Sequence, residues 1–114
     1  MKYFESLKKN DDFSHVYKNG RSKADNLLVL YVIENENEKN RLGISVSKKV
    51  GNSVVRHHLK RLIKEAYRLN AEKFLTGFDM IFIARVNAKD CTYFQIESAI
   101  LRLGKRSGVL KKET

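Results

Sequence analysis

Between Lys48 and Arg68 the chain reads KKVGNSVVRHHLKRLIKEAYR, with seven lysines and arginines against a single acid, Glu65. That stretch carries +6 of the formal net charge of +10. Like charges held together repel, so a cluster of this kind points to an anionic partner outside the fold. The chemistry open to it is recognition: ammonium and guanidinium groups make charge-assisted hydrogen bonds to phosphate oxygens. Nucleic acid fits best, with an acidic membrane surface as the rival.

The stretch predicts an amphipathic helix. At about 100° per residue, Val55, Leu59, Leu62, Ile63, Ala66 and Leu69 share an arc of roughly 120° expected to face the core. Arg56, His57, Lys60, Arg61, Lys64 and Arg68 fill a second arc of roughly 140°, with Tyr67 between Arg56 and Lys60 and with His58 and Glu65 at the border. A solvated helix face usually intersperses signs so that i,i+4 pairs support it, and only Glu65 is available here. Lys48 and Lys49 lead into Gly51, which permits a close backbone approach, and Asn52 or Ser53 suits an N-cap. Two lysines beside free helix amides make a candidate phosphate site.

Covalent chemistry is poorly served by the same residues. His57 and His58 as general acid and base would point about 100° apart, too far to flank one phosphate, and no carboxylate constellation accompanies them. A zinc site from His15, His57, His58 and Cys91 matches no familiar ligand spacing. A ribosome-associated or duplex-binding module remains an open alternative for a basic helix beside a sheet.

The whole chain sets the frame for that helix. Its 114 residues suit one domain with one core. A hydrophobic share of 42% against 32% charged residues is enough to fold. The first residues, MKYFESLKKNDDF, have no secretory pattern, and the longest apolar run, residues 27–33, is far below the roughly 20 needed to span a membrane. A single cysteine, Cys91, permits no intrachain disulfide. A cytoplasmic protein is expected.

Asn10 as N-cap, Asp11 and Asp12 at the positive end of the dipole, Phe13, Val16 and Tyr17 at helical spacing and Gly20 as C-cap predict a first helix over residues 11–18. Residues 26–34 form an apolar run of β-formers. After the polar segment ENENEKN, Leu42, Ile44 and Val46 alternate with Arg41, Gly43, Ser45 and Ser47 in a strand over residues 41–47. FDMIFIAR, residues 78–85, is apolar on both faces and predicts an interior strand. Thr92 opens a T-x-x-Q capping box before the stripe Ile96, Ala99, Ile100 and Leu103, and a basic tail ending KKET is expected to fray. The order α, β, β, α, β, α reads as an α+β fold, a sheet with helices packed on it.

These residues resemble a known family. SVSKKVGNSVVRHHLKR, residues 45–61, is similar to the Ser-x-Lys-Lys-x-Gly-Asn-Ala-Val-x-Arg-Asn-Arg-x-Lys-Arg signature of the protein component of bacterial ribonuclease P. The likeness extends to LKKNDDFSHVYKNG, residues 7–20, to RLGISVS, residues 41–47, and to DMIFIAR, residues 79–85. The resemblance implies a two-layer α/β sandwich with a mixed central sheet, of α-β-β-β-α-β-α order, ribosomal-protein-like, with a left-handed βαβ crossover. It implies one strand more than the periodicity yields, in residues 26–34 or just before them.

The resemblance also implies a function. The protein binds a catalytic RNA that removes the 5′ leader of precursor tRNA with Mg²⁺ held mainly by the RNA, and no protein partner is expected. Arg56, Lys60 and Arg61 would contact that RNA, supported by Lys48 and Lys49, on a surface that takes in Asn52, His57, His58, Lys64 and Arg68. A cleft between the first helix and the sheet would hold the single-stranded leader against Phe13, Tyr17 and Tyr31 by sequence-tolerant stacking. Phe13 and Tyr17, four apart on a helix, also fit simple core packing. His57-His58 stands where the family has Asn-Arg. Imidazoles lose charge near neutral pH, so RNA affinity is expected to fall from about pH 6 to 8, and His58→Arg to flatten the fall.

Overall fold

The structure, a computed structural model, describes residues 4–112. Its elements are β1 (Phe4–Ser6), α1 (Asn10–Asn19), β2 (Arg21–Ala24), β3 (Leu28–Glu34), β4 (Asn40–Ser45), α2 (Ser53–Asn70), β5 (Phe78–Ala84) and α3 (Tyr93–Arg106). The strands form one mixed sheet of order β1-β4-β5-β3-β2. β5 lies at its centre, parallel to β4 and antiparallel to β3. Both of its faces are covered, as its almost wholly apolar sequence predicts. The α+β class and all three strands read from periodicity are present.

Two further strands carry no periodic signal. β2, with sequence RSKA, is exposed along its whole length, and it supplies the strand that the family pattern places ahead of residues 26–34. β1, three residues long, pairs parallel to β4 and precedes the first helix, where no strand was expected. Both are edge strands, and an edge strand of this length has too few core-facing positions for alternation to register. The last two residues of the KKET end lie outside the described residues.

Helix α1 starts one residue earlier than predicted. Asn10 is its first residue and not its cap; the N-cap position is Lys9, with no side-chain cap bond. Asp11 and Asp12 in the first turn supply the favourable charge instead. Gly20 does end the helix, with φ of −81°. A Cβ there would lie 2.6 Å from the Val16 carbonyl oxygen and 2.8 Å from that of Val32, so the glycine permits the helix end to press against β3.

Strand alternation sorts the side chains onto two faces. Leu28, Leu30 and Val32 of β3, Leu42 of β4, and Met80 and Phe82 of β5 pack beneath Leu59, Ile63, Ala66 and Tyr67 of α2 and Ile96, Ala99, Ile100 and Leu103 of α3. Each buried Val, Leu, Ile, Met or Phe among them contributes roughly 1.5–3 kcal/mol, which makes the sheet and the α2–α3 layer the principal sandwich. On the opposite face Val16 of α1 and Leu7 close over Ile81, with Phe13, Tyr31, Ile33 and Ile83 around them. An ionic network pins α1 there. Arg41 of β4 reaches both oxygens of buried Asp79 on β5, and its other nitrogen lies 3.4 Å from Asp12 of α1. Hydrogen bonding to Asp79 raises the Arg41 pKa, so this cation stays charged in its half-buried place.

Candidate RNA-binding surfaces

Helix α2 is entered through a turn in which the Val50 amide donates to the Ser47 carbonyl, leaving Lys48 and Lys49 exposed. Asn52 caps the helix, its side-chain oxygen accepting from the Val55 amide at 3.0 Å. Gly51 is required by space: a Cβ there would lie 2.7 Å from Val55 Cγ1. The cap and the helix entry are placed as the sequence predicts.

The helical wheel needs one correction. Tyr67, assigned to the cationic arc, is 1% exposed, and Leu69, assigned to the core arc, is 58% exposed. The inward face therefore centres near Ile63 and is rotated toward Arg56. Aromatic packing explains the shift: Tyr67 meets Phe4 edge-on at 4.8 Å and Phe74 at 4.9 Å, and its hydroxyl accepts a 3.2 Å bond from Asn40. Burial pushes its pKa up to about 12, against a lowering by Asn40.

The rotation sorts the cationic residues. His57, His58, Lys60, Arg61 and Lys64 remain exposed. Arg61 and Lys64 stand between two grooves. One, of about 340 Å³, is lined by His57 and Lys60 on α2 with Phe4, Leu7, Leu42 and Ile44 below. The other, of about 650 Å³, is lined by His58, Leu62, Glu65 and Arg68. Arg68 is bound to Glu65 through two nitrogens, so its charge is partly offset. Arg56 is half-buried, and its Nε is enclosed with no acceptor among the described residues. An enclosed donor without a partner costs about 1–3 kcal/mol.

Tertiary packing brings Phe13, Tyr17 and Tyr31 together on the other face of the sheet. The rings of Phe13 and Tyr17 are 6.3 Å apart, and those of Tyr17 and Tyr31 meet edge-on at 5.1 Å. The Phe13 ring lies directly over Gly43, where a Cβ would come within 2.7 Å of Cζ. Phe13 and Tyr31 are half-buried, while Tyr17 is 38% exposed. Burial raises the Tyr17 pKa, with Ser45 opposing and Tyr31 adding to the effect. The trio therefore shares core packing with an accessible aromatic surface. Sequence reasoning did not single out Gly43 or the Arg41–Asp79 pair; a glycine inside an alternating strand and one acid inside FDMIFIAR were the available signals.

Among the described residues, no group of three or more His, Cys, Asp or Glu side chains is placed to hold a metal ion. His15, His57, His58 and Cys91 form no such group.

A mixed sheet with a cationic helix on one face and a partly exposed aromatic cluster on the other fits an RNA-binding α+β domain. The family model for ribonuclease P matches residues 1–108, and the chain belongs to that family. It is 56% identical over 103 residues to the ribonuclease P protein component of Alkaliphilus metalliredigens, covering 90% of this chain and 93% of that protein. The same component of Clostridioides difficile is 50% identical over 106 residues, with 92% and 93% covered. Among solved structures, the RNase P protein of Staphylococcus aureus matches with a TM-score of 0.85 at 41% identity, covering 93% of this chain and 97% of that one. That of Thermotoga maritima matches with a TM-score of 0.83 at 30% identity, with 90% and 96% covered. The chain is thus a protein component of ribonuclease P, a subunit of a ribonucleoprotein endonuclease that processes tRNA, and its partner is the ribonuclease P RNA.

Proposed function

We propose that the protein holds two RNAs at once, the catalytic RNA against α2 and the single-stranded leader of precursor tRNA in the cleft between α1 and the sheet. The observation that carries this reading is the placement of the two surfaces on opposite faces of one sheet. Exposed Lys48, Lys49, His57, His58, Lys60, Arg61 and Lys64 meet backbone phosphates of the catalytic RNA, and half-buried Arg56 adds its charge. Asn52 contributes by capping α2, and Arg68 contributes the charge left after its bond to Glu65.

In the cleft, a leader base stacks beside Phe13, Tyr17 and Tyr31. Such stacking is worth roughly 1–3 kcal/mol per base and reads no particular sequence, as leaders of different precursors require. Mg²⁺ would be held mainly by the RNA of the holoenzyme, where it would supply charge stabilisation at the scissile phosphate. The cytoplasm is the proposed compartment, supported by the single cysteine; no helix among the described residues is long and apolar enough to cross a membrane.

Two substitutions test the division of labour. In enzyme reconstituted with its RNA, Tyr31→Ala is expected to weaken binding of precursor tRNA but not of mature tRNA, leaving affinity for the catalytic RNA intact. Arg61→Ala is expected to lower affinity for the catalytic RNA. Loss of both affinities in each variant would sink the two-surface reading.

A further inference from the structure

Cations gather at a third place, the corner where α3 meets the edge strand β2. Arg102 Nη2 lies 2.7 Å from Asp25 Oδ2, Arg106 Nη1 donates to the Ala24 carbonyl at 3.0 Å, and Arg85 Nη1 donates to the Asp25 carbonyl at 2.8 Å. Three guanidinium groups, two from α3 and one from the residue that follows β5, thus converge on two consecutive residues. Arg21 on the same strand adds a fourth, fixed by its bond to the Ser107 carbonyl at 3.0 Å.

Asp25 is the one acid in these contacts, and its carboxylate is already occupied. Oδ1 accepts from the Leu27 and Leu28 amides, and Oδ2 takes Arg102. A single carboxylate among several guanidinium groups leaves a net positive corner. Each arginine here uses only part of its five N–H donors, which leaves the others to meet an acceptor. Charged side chains also shield an edge strand from unwanted pairing. Three guanidinium groups with one carboxylate between them suit an anion as well.

The corner is also close to the aromatic cleft. Ser22 pairs with Tyr31 and Ala24 with Val29, so Ala24 lies one strand over and two residues along from Tyr31, about 8 Å by strand geometry. Val29 and Ile83, neighbours on the same face, are half-buried and bridge the gap.

We propose that this corner binds backbone phosphates of the precursor leader beyond the bases held in the cleft. The path runs from Tyr31 over Val29 and round the β2 edge at Ala24 and Asp25, where Arg102 and Arg106 reach across from the α3 side of the sheet. This inference rests on the leader reading of the cleft.

The test uses the reconstituted holoenzyme and two precursor tRNAs, one with a leader ending at the cleft and one with a leader running past it. The longer leader is expected to bind more tightly and with steeper salt dependence. The double variant Arg102→Gln/Arg106→Gln removes that gain and lowers the log-log salt slope by about 0.7 for each phosphate lost. Binding of the short leader and of the catalytic RNA stays unchanged.

Asp25→Asn supplies a second arm with the opposite sign. The amide oxygen can still accept from Leu27 and Leu28 while the negative charge is gone, so affinity for the longer leader rises even as thermal stability falls. Persistence of the gain in the glutamine variant, or weaker binding of the longer leader by Asp25→Asn, overturns the proposal. Tyr31→Ala judges the cleft separately: unchanged binding of the short leader refutes the cleft reading, while the two arginine-corner arms still decide this one.

Discussion

Gly43 shows how a single residue can set the geometry of a surface. The Phe13 ring occupies the space a side chain at residue 43 would need, so Gly43→Ala forces the ring outward. The expected cost is about 1–3 kcal/mol of stability, read by chemical denaturation, with weaker precursor binding because Phe13 and Tyr17 move together. Asp25 gives a pH dependence. Burial disfavours its charge, but bonds from the Leu28 amide, Arg102 and the Leu27 amide outweigh that and hold its pKa below the usual carboxyl value. A carboxyl depressed in the folded state stabilises the fold fully above its unfolded pKa, and the contribution is lost as pH falls through the folded value. Thermal melts taken downward from about pH 5 should lose stability in the wild type, and Asp25→Asn should flatten part of that decline.

At the scale of elements, α2 depends on its entry. Asn52→Ala removes the acceptor of the Val55 amide and should cost about 1 kcal/mol. A melt reads this as a lower Tm, and RNA affinity should fall with it if the first turn frays. This cap, and the capping box in which Thr92 and Gln95 bond reciprocally at the start of α3, were legible because capping is local chemistry. The rotation of α2 was not. A helical wheel weighs apolarity and cannot know that Phe4 and Phe74, distant in sequence, build a slot for Tyr67. Leu69 is displaced to the surface by the same choice.

The whole molecule presents positive charge at both edges of its sheet, on α2 beside β1 and β4, and at the β2–α3 corner. If roughly six phosphates of the catalytic RNA are engaged, the log-log salt dependence of its binding should have a slope of about −4 to −5. Arg61→Ala should reduce that slope by about one and leave the melting temperature unchanged, because the side chain is exposed. Filter binding over a salt series measures both. A slope near zero would show that the cationic face of α2 is only solvated.

The basic stretch between Lys48 and Arg68 was decided by sequence alone, for net charge, helical period and capping depend on residues within a few positions of one another. So were the three strands whose alternation or apolar run marks them as core. Tertiary structure decided what local pattern cannot carry: the edge strands β1 and β2, the side of α2 that faces inward, and the gathering of Phe13, Tyr17 and Tyr31 into one cluster. It also decided which cations stay free and which, like Arg41 and Arg102, are held by an acid distant in sequence. The physical reason is range. Propensity and periodicity act along the chain, whereas packing and ion pairing join residues that only the folded sheet brings together.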